Sequence, residues 1–108
     1  SPQQFCFFSV SEWLLLHGNI ISGTIPSEIG KCHDLGYLLL HNNLLSGTLP
    51  SEVGALSKLT HFSAFENSLV GSISHDDEIC ALRFSGVLSH FSLDCISEIF
   101  CECCSDCV

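Results

Sequence analysis

The run Leu35–Leu59, LGYLLLHNNLLSGTLPSEVGALSKL, decides the fold of this chain because its neighbours repeat it. A 24-residue period puts Asn19, Asn43 and Asn67 in one column. The columns Ile21/Leu45/Leu69, Gly23/Gly47/Gly71 and Ile25/Leu49/Ile73 follow in the same register. Pro26 matches Pro50, Glu28 matches Glu52, Ile29 matches Val53 and Gly30 matches Gly54. A fixed period of this length marks a stack of one supersecondary unit, in which each copy covers the apolar face of the next. One copy cannot bury that face alone and about three are needed, which is what residues 11–74 supply.

Within each copy the pattern x-L-x-L-x predicts a strand: Trp13 to His17, Tyr37 to His41 and His61 to Phe65. Side chains alternate across a strand. Leu14, Leu16, Leu38, Leu40, Phe62 and Ala64 therefore point inward. The outward columns are Trp13/Tyr37/His61, Leu15/Leu39/Ser63 and His17/His41/Phe65. Asn19, Asn43 and Asn67 sit where the chain turns off the strand, and a side-chain amide there can satisfy backbone groups of neighbouring turns, a structural role. Ser27-Glu28 and Ser51-Glu52 follow the prolines, with Ser read as an N-cap and Glu as a first-turn acid of a short helix.

The motif LxxLxLxxNxLSGxIPxxIG, strong over residues 11–74, resembles the plant-type, extracellular leucine-rich repeat. The resemblance implies an α/β solenoid: a short horseshoe with a parallel sheet on its concave face and short 3₁₀ helices on its convex side. It also implies a second short strand at Ser-Gly-Thr-Ile/Leu-Pro, an extracellular or cell-surface location, and protein, peptide or cell-wall glycan ligands.

The two ends depart from the repeat. Residues 1–10 read as the back half of a truncated preceding repeat, since Pro2 lies one period before Pro26 and Phe5 one period before Ile29; alternatively Phe5, Phe7 and Phe8 form an irregular cap. Residues 75–108 read as a degenerate last repeat and a cysteine-rich cap. Six of the eight cysteines lie there: Cys80, Cys95, Cys101, Cys103, Cys104 and Cys107. The pattern D-C followed by C-x-C-C-x-x-C, with Ile79-Cys80-Ala81-Leu82 ahead of it, is similar to the tail of secreted or surface leucine-rich-repeat proteins of algae such as diatoms. Six cysteines allow fifteen pairings and spacing does not choose among them. Three disulfides are expected, because a terminal unit with no next repeat gains from covalent constraint. Cys104-x-x-Cys107 also has zinc-ligand spacing. Cys32, in the column of Leu56, reads as a buried thiol, and Cys6 stands apart. His75-Asp76-Asp77-Glu78 is either a hard-cation loop or a solvated loop whose acids face a helix start.

Composition narrows the function. Twelve acidic side chains against three basic ones give a net charge of -9, which argues against nucleic acid. No apolar run reaches the roughly 20 residues of a membrane helix, so this piece is expected to make no membrane contact of its own. No nucleophile elbow, phosphate loop or metalloprotease motif occurs, so no catalytic residue, metal or cofactor is assigned and the chain is not read as an enzyme. The expectation is a recognition or adhesion module of a larger receptor-like or secreted protein. Folding does not require Trp13, Leu15, His17, Tyr37, Leu39, His41, His61 and Phe65 on an outward sheet face, so these residues are the candidate ligand-binding set. The alternatives are a structural spacer and C-terminal cap of a longer solenoid, or an inhibitor module of the kind that plant polygalacturonase inhibitors exemplify.

Overall fold

The computed structural model describes residues 13–15 (backbone alone), 18–96 and 99–108. Phe5, Cys6, Phe7, Phe8, Leu16 and His17 lie outside the described residues, as do the side chains of Trp13, Leu14 and Leu15.

Each copy of the repeat makes one coil. Strands β1 (Trp13–Leu15), β3 (Tyr37–Leu39) and β5 (His61–Ser63) pair in parallel with partners one period apart, as Trp13 with Tyr37 and Tyr37 with His61. Strands β3 and β5 are shorter than the x-L-x-L-x pattern predicts. Beyond Leu39 the backbone still bonds coil to coil, Leu40 N to Ser63 O at 2.8 Å and Asn42 N to Phe65 O at 3.0 Å, but it is already turning. Leu38, Leu40, Phe62 and Ala64 are fully buried, so the inward register of these coils holds.

The chain leaves the strand through the asparagine column. The Asn43 amide donates to Leu40 O and accepts from Ile21 N of the coil before it. Asn67 repeats this, donating to Leu40 O and Ala64 O and accepting from Leu45 N. Backbone groups with no ladder partner at the turn are thereby satisfied. Strands β2 (Ser22–Thr24), β4 (Leu44–Gly47) and β6 (Ser68–Leu69) form the second sheet, where the partners are closer in sequence: Ser22 with Leu44, Ser46 with Ser68. The coils are thus sheared by two positions relative to the repeat, since Leu44 stands two before Ser46, the repeat equivalent of Ser22. The bonds from Ile21 N to Asn43 and from Leu45 N to Asn67 span the same 22 residues, so the amides set this shear.

Among the described residues two 3₁₀ helices close the coils on the convex side, Ser27–Lys31 and Ser51–Ala55, burying Ile29 and Val53. Ser27 and Ser51 are not their N-caps. The extended Pro26 and Pro50 hold that position, and each serine is the first helical residue, its hydroxyl turned to the neighbouring Glu28 or Glu52. The following copy departs from this pattern. Helix α1 (Glu78–Phe84) packs on the second 3₁₀ helix and buries Ile79 and Cys80. It approaches so closely that a Cβ on Gly54 would sit 2.4 Å from Glu78 Cβ and 2.8 Å from Ile79 N, so any side chain there must displace the start of α1.

Strand β7 (Gly71–Ile73) then pairs with β9 (Ile99–Cys101), while β8 (His90–Leu93) and β10 (Asp106–Cys107) extend the first sheet to the five-stranded order β1-β3-β5-β8-β10. Arg83 ties α1 to the tail by donating to the carbonyls of Cys103, Leu88 and Ser89. Three disulfides staple this end: Cys80–Cys103, Cys95–Cys107 and Cys101–Cys104, with Cα–Cα distances of 5.5, 4.8 and 5.7 Å, inside the usual range. Cys32 is buried as its column predicts, but as part of a disulfide and not as a free thiol. Its partner lies outside the described residues. A core column selects an apolar side chain, and it does not distinguish a thiol from a bonded sulfur.

Candidate functional site

The outward side chains of β3, β5 and β8 form three columns on the concave face, and the outer two are ring stacks. Tyr37 lies over His61 with centroids 4.2 Å apart and planes at 10°, and His61 lies over His90 at 4.3 Å and 10°. In the opposite column His41 lies over Phe65 at 4.6 Å and 10°. The cause is the parallel register: identical positions on neighbouring strands sit about 4.8 Å apart, which suits parallel rings. Between the stacks runs the column Leu39, Ser63 and Ser92. The outer columns stand four positions apart along the strand, roughly 13 Å, so the face is a trough with ring-edged walls and a floor of Leu39 and two serines.

The rings shield one another. Tyr37, Leu39, His41, His61 and Phe65 are half-buried, and Ser63 is buried. The exposed apolar surface expected here lies elsewhere: Ile20, Ile96, Phe84 and Phe100 are the most exposed large apolar side chains among the described residues, all outside these columns. Stacking covers both faces of His61 and one face each of Tyr37, His90, His41 and Phe65. Of the candidate residues, Tyr37, Leu39, His41, His61 and Phe65 are brought together. Trp13 and Leu15 pair through the backbone with Tyr37 and Leu39, but their side chains, like His17, are outside the described residues.

Hydroxyls hold the imidazoles. Thr60 Oγ1 lies 2.9 Å from His61 Nδ1, Ser89 Oγ 3.0 Å from His90 Nδ1 and Ser63 Oγ 2.6 Å from His41 Nδ1. Burial first, then the neighbouring His90, lowers the pKa of His61 below the ordinary 6.5, which keeps that ring neutral at pH 7. An open hollow beside Tyr37 and Thr60 is rimmed by Asp34 and Lys58, which pair at 3.1 Å. At the far end Asp94, the position after Phe65 in its column, accepts from Glu66 N at 2.9 Å and Asn67 N at 3.2 Å. Its carboxylate replaces the carbonyls that a further coil would have offered.

His90, Ser92 and Asp94 were not legible from the repeat period. Helix α1 and the turn at Gly86 lengthen the last coil, so that His61 pairs with His90 and the bond from Ser89 back to Thr60 spans 29 residues. The signal was a local echo: Thr60-His61-Phe62-Ser63 returns as Ser89-His90-Phe91-Ser92. Away from the trough, the loop His75–Glu78 holds Asp77 as the cap of α1, its carboxylate accepting from Ser74 N, and His75 bonds Glu102. Among the described residues no group of three or more His, Cys, Asp or Glu is placed to hold a metal ion.

Coils with an inward leucine ladder, an asparagine turn and a convex 3₁₀ helix define one repeat class, and residues 12–32 and 34–56 match the family model for the Leucine Rich Repeat. This is a leucine-rich-repeat solenoid. Two plant receptors are among the solved structures that resemble it. One is a plant peptide hormone receptor, RGFR1, in complex with RGF2, 39% identical with a TM-score of 0.61, covering 82% of this chain and 12% of that chain. The other is the ectodomain of the plant membrane receptor kinase GASSHO1/SCHENGEN3 from Arabidopsis thaliana in complex with CASPARIAN STRIP INTEGRITY FACTOR 2, 31% identical with a TM-score of 0.60, covering 80% of this chain and 9% of that chain. The leucine-rich-repeat chain thus spans about a tenth of the length of either structure. No curated protein matches it.

Proposed function

We propose that this leucine-rich-repeat piece is part of an extracellular, receptor-like or secreted recognition protein, and that it contacts a peptide through the trough between the two ring stacks. The observation that carries the reading is the trough itself. Two aromatic and imidazole walls and a hydroxyl-lined floor lie on one face, and folding requires only the inward half of each strand. Ring edges and hydroxyls suit the alternating donors and acceptors of a peptide. A glycan binds best to open ring faces, and stacking covers both faces of His61 and one face of each other wall ring. Both similar receptors were solved with a partner, and one of them is a peptide hormone receptor, which supports the same class of ligand. Extracellular placement is supported by those receptors and by the three disulfides of the tail, which persist in oxidising compartments.

A second reading, a spacer and cap for a longer solenoid, is favoured by one observation: the trough residues are half-buried against one another and so already have a structural use. Selection of a displayed random-peptide library on the folded chain separates the two. Peptides enriched on the wild type are expected to lose at least about tenfold in affinity on Tyr37→Ala or Phe65→Ala, the loss of an anchor worth more than about 1 kcal/mol, and to be unaffected by the convex change Glu52→Ala. Enrichment of no peptide, or equal binding by all three variants with the fold intact, overturns the proposal in favour of the spacer.

A further inference from the structure

We infer that the Cys95–Cys107 disulfide is a site of thiol–disulfide exchange with a dithiol, and that its reduction releases β10 from the concave sheet. Neither half rests on the peptide reading of the trough.

The three bonds of the cap differ first in access. Cys80 and Cys103 are 0% and 5% exposed, so a dithiol reaches that bond only after the cap opens. Cys101 and Cys104 are both half-buried. Cys107 is exposed, and its partner Cys95 is half-buried. Exchange requires a thiolate to reach one sulfur of the bond, and exposed disulfides are the labile ones. Cys107 Sγ is therefore the sulfur attacked. The S–S bond breaks, Cys95 leaves as a thiolate and takes a proton, and a mixed disulfide remains at Cys107. The second thiol of the dithiol then attacks the reagent sulfur of that mixed disulfide and displaces Cys107, which is protonated in turn. Two electrons and two protons pass to the two cysteines, and the dithiol becomes a disulfide.

The bonds differ next in what they hold. Cys80–Cys103 joins two core positions. Cys95–Cys107, with a sequence separation of 12, pins a two-residue strand at the end of the five-stranded sheet. Residues 105–108 are all exposed, so apolar burial contributes little to holding them. They are held by bonding along the sheet edge: Ser105 N to Phe91 O at 2.9 Å, Val108 N to Leu93 O at 3.0 Å, and the Ser105 hydroxyl, 2.8 Å from Phe91 N and 3.2 Å from Phe91 O. Exposed backbone bonds with no buried side chain behind them belong to the least stable parts of a fold. Once the disulfide is open, the segment beyond Cys104 comes away, and Cys101–Cys104 still anchors its start. Strand β8 then becomes the sheet edge, with Phe91 N, Phe91 O and Leu93 O bared, and Asp106 leaves its place beside Ser92.

Limiting dithiothreitol on the folded, oxidised chain, quenched by alkylation and mapped by mass spectrometry, tests the exchange. Cys95 and Cys107 should be alkylated ahead of Cys101 and Cys104, and at least about tenfold faster than Cys80 and Cys103, the factor that a local opening of about 1.4 kcal/mol supplies. Hydrogen exchange by NMR reads the release. In the chain reduced at this bond alone, the Phe91 amide should exchange at least about tenfold faster than in the oxidised chain, while the Phe62 amide, on a strand that keeps both neighbours, is unchanged. Cys95→Ala/Cys107→Ala should show the same fast Phe91 amide without reductant, its other two cap disulfides intact by mass. Reduction of Cys80–Cys103 or Cys101–Cys104 first, or at an equal rate, overturns the exchange site. A Phe91 amide still protected in the reduced chain or in the double variant overturns the release of β10.

Discussion

The repeats and the C-terminal cap solve one problem in opposite ways. Every coil must satisfy the backbone edge and apolar face of the coil before it. From Ile21 to Ile73 the next coil does so with like residues: asparagine amides, leucine columns and strands paired one repeat on. From Ser74 there is no like coil, and the same groups are met by unlike ones. The Asp94 carboxylate stands in for turn carbonyls, Arg83 gathers three of them, α1 replaces a 3₁₀ helix, and the Cys80–Cys103 disulfide joins α1 to the tail. Periodic packing is distributed over many residues. A cap concentrates the same duty in a few, so each of those should matter more individually.

The largest effect should come from breaking the periodic half at its core. Leu40 is 1% exposed, and Leu40→Asp places an unpaired charge there, expected to cost more than about 4 kcal/mol and to unfold the chain. Leu39, its half-buried neighbour on the opposite face, should tolerate the same change within about 1 kcal/mol. Circular dichroism with urea titration reads both, and similar losses would show the strand register to be wrong.

In the cap, removal of a disulfide should follow the length of chain it closes. With sequence separations of 23 and 3, Cys80→Ala/Cys103→Ala should cost about 3 kcal/mol and Cys101→Ala/Cys104→Ala about 2 by loop entropy. Denaturant midpoints of the two double variants settle the order. A larger loss for the short loop would mean that these bonds act through the folded cap and not the unfolded chain.

The seam between the halves comes next. Gly54→Ala drives a methyl into the backbone of α1, whereas Gly30→Ala meets Glu52 Cβ at 2.9 Å and Glu52 O at 3.0 Å. Thermal melts should show about 2 kcal/mol lost for Gly54→Ala and about half that for Gly30→Ala. The reverse order would place the tighter joint inside the repeats.

The smallest effect is one of sign. His61 has a lowered pKa, from burial and then His90, so its contribution to stability is fully present above 6.5 and is lost as pH falls through the lowered value. His75, raised by its hydrogen bond to Glu102 and then by Asp76, contributes fully below 6.5, and that stability is lost as pH rises through the raised value. Melting temperatures followed from about pH 5 to 8, the range in which histidine changes charge, should therefore fall less on acidification in His61→Gln and less on alkalinisation in His75→Gln. Shifts of the same sign in both variants would contradict the contrast.

The contrast also explains what could be read in advance. Each inward leucine and each asparagine recurs at one spacing, so Leu38, Leu40, Phe62, Ala64, Asn43 and Asn67 were placed by position alone, and the trough residues Tyr37, His41, His61 and Phe65 were brought to one face by the same alternation. The caps of the 3₁₀ helices were misread because Ser is the commoner cap, while extended Pro26 and Pro50 had already fixed the backbone where the cap sits. Cys32 was misread because its column reports burial and not bonding.

The sequence by itself determined the repeat, because a period recorded many times over outvotes any single ambiguous residue. Only the tertiary structure decided the sheared pairing of the second sheet, the entry of His90 and Ser92 into the trough, the covering of ring faces by stacking, and which of fifteen pairings the tail adopts. Each of these depends on a contact made once, between segments whose spacing no other part of the chain repeats, and distance in space rather than pattern in sequence selects it.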